Sequence, residues 1–85
     1  MIRKSVMIRL PNGLDAKPVA LLVQEASKYR SAIYLVNGQH NVNAKSIMGM
    51  MTLGLPSGET VDVTADGQDE KEAIDNIEKY LSCAL

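Results

Sequence analysis

The apolar residues of this chain change their spacing repeatedly, and each change marks a passage between strand and helix. Ile2, Val6 and Ile8 share one parity while Arg3, Ser5 and Arg9 take the other, which is the alternation of a strand with one buried face. Lys4 interrupts the inner set, as an edge or end position does. Pro11-Asn12-Gly13 then breaks the alternation with strong turn chemistry. From Val19 the spacing becomes three and four, so that Val19, Leu22, Val23 and Ala26 form one stripe of a helix. Asp15 is placed to cap that helix, and Pro18 falls in its first turn, where a missing N–H costs nothing. Leu14 and Val19 occupy the positions of a hydrophobic staple.

Ile33 and Leu35 mark a second strand that ends in Asn37-Gly38, a hairpin signal because both residues tolerate positive φ. The return strand runs through Val42. Ser46 to Leu53 has the pattern of a short helix, capped by Ser46 and closed by Gly54. Val61, Val63 and Ala65 alternate with Thr60, Asp62 and Thr64 as a fourth strand. A last helix begins near Asp69 with acidic residues in its first turn, which suits the helix dipole. Its buried face is Ala73, Ile74, Ile77, Leu81 and Ala84. The order β-α-β-β-α-β-α predicts an α+β fold: a four-stranded antiparallel sheet covered on one face by three helices, an open-faced sandwich.

Size and composition narrow the function classes. The 85 residues make room for one domain, residues 1–85, with one core. A chain this short buries only about 60% of the surface its unfolded form exposes, so modest stability is expected. A net charge of −1 and dispersed basic residues argue against direct nucleic-acid binding. The single cysteine, Cys83, cannot form an internal disulfide, which fits a reducing compartment. The apolar stretch after the basic start is only Val6-Met7-Ile8, so neither signal peptide nor membrane span is expected, and the cytoplasm is the default location. No internal repeat, linker or low-complexity tract is visible.

Two segments resemble the HPr family of phosphotransferase-system phosphocarriers. Gly13-Leu14-Asp15-Ala16-Lys17-Pro18 is similar to the family's phosphocarrier loop, usually Gly-Leu-His-Ala-Arg-Pro. Asn43-Ala44-Lys45-Ser46-Ile47-Met48-Gly49 is similar, without a mismatch, to the regulatory-serine segment of HPr proteins from low-GC Gram-positive bacteria. The resemblance extends over the whole chain and implies an HPr-type open-faced sandwich. In the family the loop histidine takes a phosphoryl group from enzyme I and passes it to sugar-transport proteins. Here Asp15 has no imidazole, and Lys17 supplies a point charge in place of the guanidinium fork. The one histidine, His40, lies in the hairpin as a solvent-facing turn residue.

The Crh proteins, similar to HPr, also lack the loop histidine and keep the serine, although their substitute is glutamine. The resemblance therefore implies a non-enzymatic regulatory protein, phosphorylated at Ser46 by an HPr kinase/phosphorylase and acting as corepressor partner of a LacI-type catabolite regulator. The alternative is a true phosphocarrier in which Asp15 replaces histidine. A third reading keeps the fold for another protein contact, without phosphorylation. No cofactor, metal or membrane is implied, and whether the first strand swaps between subunits to make a homodimer stays open.

Asp15 itself has three readings: a helix cap, a fixed anion where phosphohistidine would carry charge, or an aspartyl-phosphate acceptor. The acceptor reading calls for Mg²⁺ and neighbouring carboxylates. Ser46 is either a cap or, with Asn43 to Gly49 intact, a regulatory phosphorylation site. The resemblance makes Ile47, Met48 and Met51 an exposed docking patch, extended by Ala20 and by Val19 unless Val19 is core. Lys17 and Lys45 either neutralise a phosphate on Ser46 or are plain solvated charges. Tyr29, Tyr34 and Tyr80 are expected to be partly buried with wet hydroxyls.

Overall fold

The computed structural model describes residues 1–11, 13 and 15–82. Its elements are β1 (Ile2–Met7), α1 (Ala16–Ala26), β2 (Ala32–Asn37), β3 (His40–Asn43), α2 (Ile47–Met51), β4 (Thr60–Asp66) and α3 (Glu70–Ser82). The order is the one the hydrophobic spacing predicts. The strands form one antiparallel sheet in the order β1-β4-β2-β3, and three helices cover one face. The inward residues Val6, Val61, Val63, Ala65, Ile33 and Leu35 meet Val19, Leu22, Ala26, Met50, Ala73, Ile74, Ile77 and Leu81 in a single core. Val23 packs against that core part-buried, completing the α1 stripe. The expected staple residue Leu14 and the helix residue Ala84 lie outside the described residues, as does Cys83.

Charge fastens the edge strand. Among the described residues β1 has β4 as its only strand neighbour, and Lys4, on the helix-covered face, reaches the rim to bond Glu78 of α3 at 2.7 Å. On the open face Asp62 accepts from Arg3 at 2.6 Å and from the Ser5 hydroxyl at 2.6 Å. The α-amino group of Met1 lies 3.1 Å from Glu70. The basic start of the sequence thus meets its acidic late segment, because β1 runs antiparallel to β4 and alongside α3.

Several boundaries differ from expectation. β1 stops at Met7, yet Ile8 stays fully buried and donates its N–H to Glu59 at 2.8 Å. In the hairpin Asn37 pairs with His40, so the loop is Gly38-Gln39 and only Gly38 has positive φ, at 60°. That is the φ pattern of a type II′ turn, which needs glycine at its first central position. His40 is exposed as expected but is the first residue of β3, not a turn residue. α2 is shorter than Ser46–Leu53: Thr52 caps it, Leu53 bonds back to Met50, and Gly54 follows at φ 53°.

The tyrosine expectation is corrected in part: Tyr80 is part-buried as expected, Tyr29 is more buried and Tyr34 more exposed than expected, and the hydroxyls of Tyr29 and Tyr80 have protein partners. Tyr29 is buried, its hydroxyl donating to Glu25 at 2.8 Å and accepting from Asn76 of α3. Tyr80 donates to the Pro18 carbonyl at 2.8 Å, joining α3 to α1. Both hydroxyls have protein partners, as a phenol packed in a helix–helix seam usually finds. Tyr34 alone stays exposed, on the open sheet face.

Asp69, just ahead of α3, anchors that helix to the start of β2. One oxygen accepts the Arg30 N–H at 2.9 Å; the other accepts the Ser31 N–H at 2.9 Å and the Ser31 hydroxyl. The Ser31 hydroxyl above all, and then the Arg30 amide, hold its carboxyl at about 2 against an ordinary 3.8. A depressed carboxyl stabilises the fold above its unfolded value and loses that contribution as pH falls through the folded one. Asp69→Asn is therefore expected to lower the denaturant midpoint at neutral pH and to flatten the acid limb between pH 3.8 and about 2. An acid limb unchanged from wild type would show that this carboxyl is not what titrates there.

Candidate functional site

The serine segment is shaped by its own first residues. Asn43 closes an Asx turn, its side-chain oxygen accepting the Lys45 N–H at 2.8 Å and its carbonyl accepting the Ser46 N–H at 3.0 Å. Ala44 is fully buried, and its N–H donates to Ile33 at 2.8 Å. The Lys45 ammonium donates to the Tyr29 carbonyl at 2.7 Å, clamping the loop to the chain just beyond α1. Ser46 follows in extended conformation as the N-cap of α2, its Oγ accepting the Gly49 N–H at 3.3 Å. Ser46 is exposed. A Cβ on Gly49 would lie 3.5 Å from that Oγ, an ordinary van der Waals contact.

Asn43, Ala44, Lys45 and Ser46 thus all have local structural tasks. The next residues are different. Met50 is fully buried, while Ile47 (48%), Met48 (80%) and Met51 (53%) stand in solvent. On a five-residue helix, positions 48 and 51 share a face and position 50 points away from it. Packing of this chain does not account for three large apolar side chains left outside.

The first motif lies on α1, which packs against α2. Asp15 immediately precedes the helix; its carbonyl accepts the Val19 N–H at 2.9 Å, the bond that opens α1. Asp15 and Lys17 are exposed, Ala20 is half-buried and Val19 is wholly core. Gly13 shows how closely the loop before α1 lies against the segment after α2: at φ 67°, its missing Cβ would meet the Leu55 carbonyl and lie 2.8 Å from Pro56 Cα. Leu21, 46% exposed, was not singled out from sequence, although its place outside the Val19–Leu22–Val23–Ala26 stripe signals it. Among the described residues no group of three His, Cys, Asp or Glu side chains is disposed to hold a metal ion, and no helix is long and apolar enough to cross a membrane.

Residues 2–82 match the family model for the phosphotransferase-system HPr component phosphorylation site. The chain belongs to the HPr family. It is similar to the HPr-like protein Crh of Bacillus subtilis, with 43% identity over 81 residues covering 95% of each chain. It is 39% identical to the phosphocarrier protein HPr of Buchnera aphidicola (subspecies Baizongia pistaciae) over 82 residues, 96% of each. The crystal structure of the HPr phosphocarrier from Bacillus anthracis matches at a TM-score of 0.91 and 40% identity, covering 94% of this chain and 95% of that one. The crystal structure of Bacillus subtilis Crh, a dimer with a swapping domain, matches at 0.79 and 41% identity, over 100% and 98% of the two chains. HPr and Crh proteins are phosphocarriers or regulators, not enzymes. This HPr-family member has the HPr fold, with Asp15 and Lys17 at the start of α1 and Ser46 as the cap of α2.

Proposed function

We propose that this HPr-family chain is a non-enzymatic regulatory adaptor, phosphorylated at Ser46 by an HPr kinase/phosphorylase and then acting as corepressor partner of a LacI-type catabolite regulator. It does so in the bacterial cytoplasm, as the single domain of residues 1–85. The observation that carries this reading is the exposed Ser46 hydroxyl directly ahead of Ile47, Met48 and Met51, apolar side chains that the fold itself leaves in water. Methionine suits such a surface because its flexible thioether adapts to a partner's contours. Lys17 and Ala20 extend the contact from α1, while Lys45 fixes the loop that presents the serine. A phosphate on Ser46 gains from the free amides at the start of α2, so the modification is compatible with the fold. A homodimer is part of the proposal, supported by the swapped dimer of Bacillus subtilis Crh.

The test is incubation with ATP and HPr kinase, followed by intact mass. Wild type is expected to gain one phosphoryl group and Ser46→Ala none, with a stability loss of only about 1 kcal/mol for the missing cap. Phosphorylation of Ser46→Ala at an undiminished rate would place the modification elsewhere.

A further inference from the structure

We propose that Met48 and Met51 form a methionine oxidation site that converts the α2 surface from apolar to polar, with a hydroperoxide as oxidant. The consequence for partner docking rests on the function proposed above; the chemistry and the surface change do not. The chain has five methionines, at positions 1, 7, 48, 50 and 51. Three fall in one five-residue helix, and the fold sorts them: Met48 and Met51 are open to solvent and Met50 is sealed beneath them. A thioether lone pair attacks the peroxide oxygen, the O–O bond breaks and an S–O bond forms. The departing hydroxide takes the proton and leaves as water, so sulfur is oxidised by two electrons and peroxide reduced by two.

The sulfoxide is a polar acceptor where an apolar side chain stood. At positions 48 and 51 that oxygen stays in water, so no buried polar group is created and the fold is spared. At position 50 it would enter the core, but peroxide reaches that sulfur only if the structure opens locally. Ser46 lies two residues before Met48, so one helical turn holds both the hydroxyl proposed for phosphorylation and the oxidisable sulfurs. Met7 is a comparator: it is half-exposed on the open sheet face, away from the helices.

The full chain is titrated with hydrogen peroxide and the sulfoxide at each methionine quantified by peptide mass mapping. Met48, the most exposed beyond the N-terminus, is expected to react first, Met51 and the comparator Met7 at rates similar to each other, and Met50 roughly tenfold more slowly or slower still. The melting temperature should stay constant while Met48 and Met51 react, and retention on a hydrophobic-interaction column should fall. The Met48→Leu/Met51→Leu protein keeps an apolar surface without sulfur, and its retention should survive the same treatment. Oxidation of Met50 in step with Met48, a falling melting temperature, or equal loss of retention in the leucine variant would each overturn the proposal. Regulator binding by Ser46-phosphorylated protein, before and after peroxide, reads the consequence. If the untreated chain takes no phosphate, the function proposed above fails while the oxidation map and the column result stand or fall by themselves.

Discussion

Incubated with phosphoenolpyruvate and enzyme I, the protein gains no phosphoryl group; Asp15→His with Lys17→Arg gains one. That is the expected result, and it separates the adaptor from a carrier. Enzyme I offers an anionic phosphoryl group that a neutral imidazole nitrogen accepts by its lone pair. A carboxylate at position 15 meets the same group as a like charge, and the repulsion raises the barrier. Lys17 holds a phosphate oxygen as a point charge, without the two parallel bonds of a guanidinium. The helix start is in place: α1 begins directly after Asp15, and the glycine at position 13 lies against Leu55 and Pro56. Two substitutions on an exposed helix start should therefore restore transfer. A hydroxylamine-labile adduct on the wild-type protein, formed from phosphoenolpyruvate, would show that Asp15 is an aspartyl-phosphate acceptor and restore the carrier reading. A seryl phosphate made by the kinase would resist hydroxylamine, because it is an ester and not an anhydride.

Met50→Ala is expected to cost about 2–5 kcal/mol, since it removes a buried side chain and leaves a cavity. Met48→Ala and Met51→Ala, two positions before and one position after it on the same short helix, should each change stability by no more than about 0.5 kcal/mol. Small domains have a total stability of about 5–15 kcal/mol, and a chain this short lies toward the lower end, so the first figure is a large share of the whole. Denaturant midpoints of the three variants decide it. The two exposed variants should instead weaken regulator binding by the phosphorylated protein. Equal destabilisation by Met48→Ala and Met50→Ala would mean that Met48 supports the core and is not a docking residue.

The spacing of apolar residues along the chain was enough to place every strand and helix and most of the buried faces. It was enough because period 2 and period 3.6 are properties of local backbone geometry, and side chains such as Val19, Leu22 and Ala26 declare them within one segment. The residues of the serine segment were legible for a similar reason: a serine ahead of a short apolar run is a cap in any fold. What such local signals lack is the partner across the chain. Nothing near Tyr29 announces that its hydroxyl meets Asn76 or that its carbonyl receives Lys45, and so the expectation of a wet phenol failed.

The amino-acid sequence by itself determined the order of elements, an aspartate ahead of the first helix at position 15 and the placement of a capping hydroxyl before a methionine-rich helix. Tertiary structure decided which methionine faces which way. Three methionines within four residues look alike in composition, and only the packing of α2 against α1 and β3 buries Met50 while leaving Met48 and Met51 in water. It also decided how charge is used: the basic first strand and the acidic end of the chain are far apart in sequence, and their ion pairs exist because β1 closes the sheet beside β4 and α3. Periodicity is local and can be read residue by residue; burial and pairing are relations between distant segments, and they come into being only when the sheet is assembled.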